Sequence, residues 1–323
     1  MKTALKVLVM LVLVVALLGL GGFVWAKNRN ARLLGRTIEV HEVDFPIPFP
    51  LDSAEIAELG LSPEEADSLA LERARERGRH LMESRYGCTG CHGEDLAGGV
   101  MIDAPPIGEI LGSNLTTGAG SRTLDYRPAD WDRIVRHGVK PDGSPTAMPS
   151  IDFKEMSDQE LSDLVAYIRS RPPVDATVPP VTLGPVGTML LATGQIRLSA
   201  DVIGDHLADH LVRPPEEGVS AEFGRHLAAV CAGCHGEDFA GGPIVGGDPS
   251  WPPAANLTPH EEGLADWTFE RFATSMREGR RPDGTQVGLP MIDVLPMTAR
   301  MSDTELEAIW TYLRSVPPAP TRR

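Results

Sequence analysis

Apolar positions fall into three kinds of pattern. Residues 7–26 form an uncharged run of 20 residues between Lys6 and Lys27, the length a helix needs to cross the hydrocarbon core of a bilayer. A secretory h-region is usually shorter, so a retained anchor is predicted; cleavage after Val24-Trp25-Ala26 is the competing reading. Further along, apolar residues recur at helical spacing. Leu161, Leu164, Val165 and Ile168 make one face, and Leu306, Ile309, Trp310 and Leu313 another. Each opens on a capping box, Ser157-x-x-Glu160 or Ser302-x-x-Glu305, and each stops at a double proline. Residues 64–86 and 221–230 are rich in good helix formers, and two middle helices are predicted to end at Gly138 and Gly279. Residues 199–212 are compatible with one more helix. No stretch shows strand alternation. The class predicted is all-α, with long irregular loops over 93–125 and 236–266.

The chain repeats itself. Gly-Arg-His-Leu at Gly78 and at Gly224 leads each time into a cysteine pair, then a double proline, an Asn-Leu-Thr triplet, a Pro-Asp-Gly turn and a Met-Ser-Asp helix start. The cysteine pairs lie 143 residues apart. Such a period means two homologous units. The division expected is 1–36 membrane anchor with basic flank, 37–70 spacer containing Pro46, Pro48 and Pro50, 71–172 first domain, 173–218 linker, and 219–323 second domain.

All four cysteines belong to the two pairs, and a histidine follows each: Cys88-Thr89-Gly90-Cys91-His92 and Cys231-Ala232-Gly233-Cys234-His235. Two thiols at this spacing can add to the two vinyl groups of one haem, with the adjacent histidine as axial ligand beneath the iron. A zinc site or thioredoxin-like dithiol would not need that histidine, and the βαβ context of the latter is missing. Two haem c groups are therefore predicted. An internal scaffold of this kind also accounts for long loops and for only 5% aromatic residues.

Histidine–methionine is a standard arrangement for the second axial position. Met148 lies five residues past Gly143 and nine before Ser157. In the second copy Met291 lies seven past Gly284 and eleven before Ser302, whereas Met297 lies thirteen past and five before. Met291 matches better from both sides and is preferred. Met156 and Met301 recur at the helix starts and read as core residues. His80 and His226 occupy equivalent positions and read as packing or surface residues, although bis-histidine ligation is conceivable. His206 and His210 have metal-ligand spacing, but no third ligand is near in sequence, so a solvated helix face is expected. The loop carbonyls of Pro105 and Pro252 are the predicted acceptors for the proximal histidines. The Asn-Leu-Thr triplets match a glycosylation sequon, but their repetition points to a structural loop.

Charge narrows the partners. The chain carries −15 overall, but residues 1–36 hold six basic side chains and no acid, which leaves −21 on the rest. Such a surface argues against nucleic acid and suits a basic docking face on a redox protein.

Taken together, the leading helix with its glycine, the cysteine-pair motif, the Asn-Leu-Thr loop, Pro-Asp-Gly, Met-Pro and the closing Tyr-Ile/Leu-Arg-Ser helix resemble the bacterial class I c-type cytochromes in a di-haem arrangement. They are similar to the cytochrome subunits of membrane-associated dehydrogenases. The second copy departs from the pattern, since Ile292 follows Met291. The resemblance implies haem attachment outside the cytoplasm, hence a bacterial inner-membrane anchor with the haem domains on the periplasmic side. It implies that the first and last helix of each domain cross at Gly78 and Gly224, against Tyr167, Tyr312 and Trp310. The function expected is electron transfer between a dehydrogenase, respiratory complex or soluble carrier and a downstream acceptor, with no catalytic residues. The rivals are a di-haem peroxidase and an obligate subunit of a dehydrogenase complex.

Overall fold

The structure, a computed structural model, describes residues 2–244, 247–248 and 250–323. It opens on α1 (Lys2–Leu34), whose most apolar 18-residue window has mean hydropathy 3.0 and is wholly unburied. The helix is long and apolar enough to cross a membrane. Its far end is docked: the Asn30 side chain donates to the Thr188 carbonyl at 2.8 Å, and Ala26 is fully buried.

Helices dominate the remainder. α2 (Ser53–Leu59) and α3 (Pro63–His80) lead through a π-helical turn, Leu81–Tyr86, into the short α4 (Thr89–His92). α5 (Pro128–His137) and α6 (Asp158–Ser170) complete the first half. α7 (Pro185–Thr193) and α8 (Ser199–Val202) lie between the halves. α9 (Ala221–Ala228), α10 (Ala232–His235), α11 (Phe269–Glu278), α12 (Met291–Thr298) and α13 (Asp303–Leu313) make the second. Both predicted capping boxes form, and Gly138 and Gly279 end their helices at φ 66° and 69°. That left-handed conformation is one glycine adopts without a Cβ penalty.

Two hydrophobic cores form. One holds Leu81, Met82, Trp131, Leu161, Leu164, Val165 and Ile168; the other holds Phe223, Leu227, Phe272, Leu306, Ile309 and Leu313. In each, the leading and closing helices cross where the glycine allows it. A Cβ on Gly78 would sit 2.0 Å from the Asp163 carbonyl oxygen, and one on Gly224 only 1.9 Å from that of Ala308. Tyr167 and Tyr312 Cβ atoms lie 2.8 Å from those same positions.

The all-α expectation needs correction. A three-stranded antiparallel sheet joins β1 (Gly99–Ala104), β2 (Gly108–Gly112) and β3 (Thr182–Leu183). Its hairpin turns at Pro105-Pro106, and a register shift between Val100 and Ile102 breaks the alternation that would have betrayed the strand. β3 comes from the linker, a pairing that no local pattern encodes. Two further readings change. Residues 37–70 do more than space: Phe45 and Phe49 are buried in the first core, and the Ser162 hydroxyl donates to the Pro46 carbonyl. The helix considered over 199–212 ends at Val202, leaving His206 and His210 on an irregular loop.

The Asn-Leu-Thr triplets are structural, as their repetition suggested. Asn114 and Thr116 are buried and bond the backbone of Val174 and Ala176. Asn256 and Thr258 make the matching bonds to Ala319. Each triplet thus fastens the extended segment that follows its own closing helix.

Candidate haem-binding sites

In the first half, the chain leaves the π-helical turn at Gly87 and winds directly into α4. Cys88, Cys91 and His92 then border a cavity of about 530 Å³. Leu115, Trp131, Val135, Phe153 and Leu164 make its wall mainly apolar, and Met148 borders it as well. A cavity of this volume and lining suits a large, flat, largely apolar ligand. The His92 ring is oriented by Nδ1–H, which donates to the Ser113 carbonyl at 2.8 Å. Its Nε2 lone pair is thereby free to bind a metal. Burial lowers the pKa of His92, partly opposed by that hydrogen bond, so the ring stays neutral. Burial drives the Cys88 thiol up to about 12 and raises Cys91 too. Both are held as neutral thiols, unlike the low-pKa thiolates of disulfide-exchange sites.

The second site repeats this chemistry. His235 Nδ1–H donates to the Ala255 carbonyl at 2.7 Å; burial lowers its pKa and pushes the Cys231 thiol up to about 12. The acceptors are therefore Ser113 and Ala255, each immediately before its Asn-Leu-Thr triplet, and not Pro105 and Pro252. Pro105 is occupied elsewhere, its carbonyl packed against Gly184. Arg322 is an addition: its guanidinium donates to the carbonyls of His235 (3.1 Å) and Gly241 (2.7 Å).

The predicted methionines have different settings. Met148 precedes a single 3₁₀ turn, Ser150–Asp152, and its carbonyl accepts from the Ser199 hydroxyl at 3.1 Å. Met291 is half-buried at the first turn of α12. Met297, six residues on, turns to the other half: its sulfur lies 3.1 Å from where a Gly87 Cβ would be. Met156 and Met301 are buried in the two cores, as expected.

His80 and His226, read as packing or surface residues, form the seam between the halves. His80 Nε2–H donates to Glu305 at 2.9 Å, and His226 Nε2–H donates to Glu160 at 2.9 Å. Arg85 bridges both acids, 2.6 Å from Glu305 and 3.1 Å from Glu160. The acids are the N3 residues of the two capping boxes, so each half offers a histidine and receives one. Sequence reasoning saw both histidines and both boxes, but not that they meet across the chain. The signal available was their joint duplication.

Each half also touches the other's cysteine motif. A Cβ on Gly233 would lie 2.1 Å from Asp152 Oδ1, while Met297 faces Gly87. Asp152 Oδ1 is buried without a hydrogen-bond partner, and burial raises that carboxyl to about 6.

Comparison with known proteins sets this duplication in a family. Residues 73–168 match the model described as Cytochrome C oxidase, cbb3-type, subunit III, and residues 221–317 match that described as Cytochrome c. Each match encloses one cysteine pair with its histidine.

The chain is a di-haem c-type cytochrome.

It carries two covalently bound haem c groups, one for each cysteine pair. The cytochrome is 28% identical over 260 residues to the "Diheme cytochrome c-type" of Cereibacter sphaeroides, covering 72% of this chain and 82% of that protein. It is 28% identical over 259 residues to the "Fructose dehydrogenase cytochrome subunit" of Gluconobacter japonicus, covering 74% and 52%. The "Alcohol dehydrogenase (quinone), cytochrome c subunit" of Gluconacetobacter polyoxogenes is 29% identical over 256 residues, covering 72% and 53%. The chain spans about half the length of these two dehydrogenase subunits. Electron transfer is the activity this family carries.

Proposed function

We propose that the cytochrome relays single electrons, outside the cytoplasm, from a dehydrogenase at the membrane to a downstream redox protein, with α1 retained as the anchor. The haem groups, when bound, supply the one-electron chemistry; the chain sets their potentials, spacing and docking. Cys88 and Cys91 hold one group and Cys231 and Cys234 the other. His92 and Met148 would ligate one iron, and His235 and Met291 the other. Met297 faces the other half, which supports Met291. Residues 71–172 and 219–323 are the two haem units, with Phe45 and Phe49 completing the first core.

One observation carries the relay reading. The turn that follows Met148 packs on the second cysteine motif through Asp152 and Gly233, and the helix that begins at Met291 packs on the first through Met297 and Gly87. This reciprocal packing supports a short path between the two sites. The membrane reading rests on the apolar length of α1 and on Asn30, which joins its end to α7.

A redox titration of the full-length holoprotein, followed in the visible region, tests the proposal. Two one-electron components are expected. Met148→Ala should remove the methionine-ligation band from one of them and lower its potential, because methionine raises it. If both components keep that band, the assignment of Met148 is wrong. If purified protein fails to pass electrons from a quinone-linked dehydrogenase to a soluble acceptor, the relay reading fails.

A further inference from the structure

Five polar side chains converge beside α5 in the first half, and none of them borders the cavity at His92. They come from three separate parts of the chain. His41 lies between α1 and α2; Asp132 and His137 lie on α5; His206 and His210 lie on the loop after α8. His206 and His210 were expected on a solvated helix face without a third ligand. The fold supplies what the local sequence did not.

Four donor atoms, one each from His41, Asp132, His137 and His210, lie within 4.8 Å of one another. His41 Nε2 is 3.4 Å from Asp132 Oδ2, and His137 Nε2 is 3.6 Å from that same oxygen. His210 Nε2 is 3.0 Å from His137 Nε2 and 3.7 Å from Asp132 Oδ1. A tetrahedral zinc ion, bonded at about 2.0–2.1 Å, sets its ligand atoms about 3.3 Å apart. The observed spacings bracket that edge.

Two of these atoms are buried and lack any hydrogen-bond partner: His41 Nε2 and Asp132 Oδ2. Asp132 is completely buried and His137 nearly so. Orphaned buried donors and acceptors are rare because each forfeits its hydration. Here they point at one another across a gap that a cation would fill.

The hydrogen bonds around the cluster fix the tautomer that coordination needs. His206 Nε2–H donates to the Ala200 carbonyl at 3.1 Å, so its Nδ1 is an acceptor. His137 Nδ1–H donates to it at 3.0 Å. The His137 proton therefore sits on Nδ1, and the Nε2 lone pair faces the cluster. Such support for a ligand histidine is the usual companion of a metal site. The charges also suit a dication. Arg136 donates to Asp132 Oδ1 at 2.7 Å and to Asp158 at 2.8 Å, so its single positive charge is outweighed by two carboxylates. Oδ2 of Asp132 remains for the metal.

We propose that His41, Asp132, His137 and His210 bind one zinc ion in a closed, structural site. Three imidazole nitrogens and one carboxylate oxygen leave no position for substrate. The ion would join the segment before α2 and the loop after α8 to α5. The backbone already brings the first two together, since the His41 amide donates to the His206 carbonyl at 3.0 Å.

The test uses the full-length protein with both haems attached, stripped with a chelator and titrated calorimetrically with zinc sulfate. One zinc per chain is expected, with a dissociation constant of about 1 µM or lower. His41→Gln and His210→Gln should each weaken binding by at least about 100-fold, with haem spectra unchanged. His260→Gln, remote from the cluster, should bind as the wild type does. Zinc-edge X-ray absorption of the wild-type protein should report three imidazoles and one carboxylate, and needs no variant to fold. No zinc uptake, uptake unaffected by both substitutions, or a different ligand set would overturn the proposal.

Discussion

The two halves carry the same motif and differ in what surrounds it. Around His92, the chain adds a β-hairpin, a linker strand and the segment holding Phe45 and Phe49. Around His235, no strand is assigned among the described residues; Gly242 and Ala254 form only an isolated bridge, and the C-terminal Arg322 bonds the backbone instead. Past Met148 and Met291 the contrast sharpens: three residues of 3₁₀ turn follow Met148-Pro149, whereas α12 starts at Met291 itself. The attachment chemistry is therefore held constant while its supports diverge. Two sites with one motif need not have one potential.

The largest effect expected separates the halves outright. Replacing Cys88 and Cys91 by alanine should remove one haem by mass while the other keeps its spectrum, and replacing Cys231 and Cys234 should do the converse. Loss of both groups from either variant would show that the halves do not mature separately.

Next comes the seam. Arg85→Met leaves Glu160 and Glu305 facing each other with one cation fewer, and breaking a buried ion pair costs about 3–5 kcal/mol. Urea unfolding would read it. The same seam sets an acid limit. Burial opposes ionisation of Glu305, but the His80 hydrogen bond and the Arg85 charge outweigh it and hold the carboxyl down at about 2. Its pKa is lower folded than unfolded, so its contribution is complete above about pH 4.5 and disappears as pH falls toward 2. The urea midpoint should drop through that window in the wild type and less steeply in Glu305→Gln. Equal slopes would remove the seam from the account.

Smaller effects distinguish the potentials. Asp152, raised to about 6, packs on the second motif. As pH rises through 6 the carboxylate forms and stabilises the ferric state, so one potential should fall by tens of mV, at most about 59 mV per pH unit. Asp152→Asn should abolish that slope and leave the other component unmoved. Smallest of all, Arg322→Ala removes a half-exposed cation from the second site alone; screening limits the fall in its potential to the order of 10 mV.

Much of this was legible in the sequence. Spacing alone identified both cysteine motifs, both capping boxes and the helix faces, because each is local. Met148 could be proposed from turn-to-cap distances, and it borders the cavity that Cys88, Cys91 and His92 also line. What escaped was joined by the fold across long separations. β3 pairs with β2 from some seventy residues away. Ser113 and Ala255, not the prolines, orient the proximal rings, since which carbonyl lies beneath a ring depends on how the loop closes. The partnership of His80 with Glu305 spans 225 positions. His41, His137 and His210 share no motif at all.

The exchange of identical contacts across the seam has a consequence for assembly. A patch in which His80 meets Glu305 and His226 meets Glu160 is self-complementary, as in a two-fold homodimer. Fusing both partners into one polypeptide saturates that valence internally. Neither half offers the patch to a second molecule, so whatever docks on this cytochrome must find its footing on other ground.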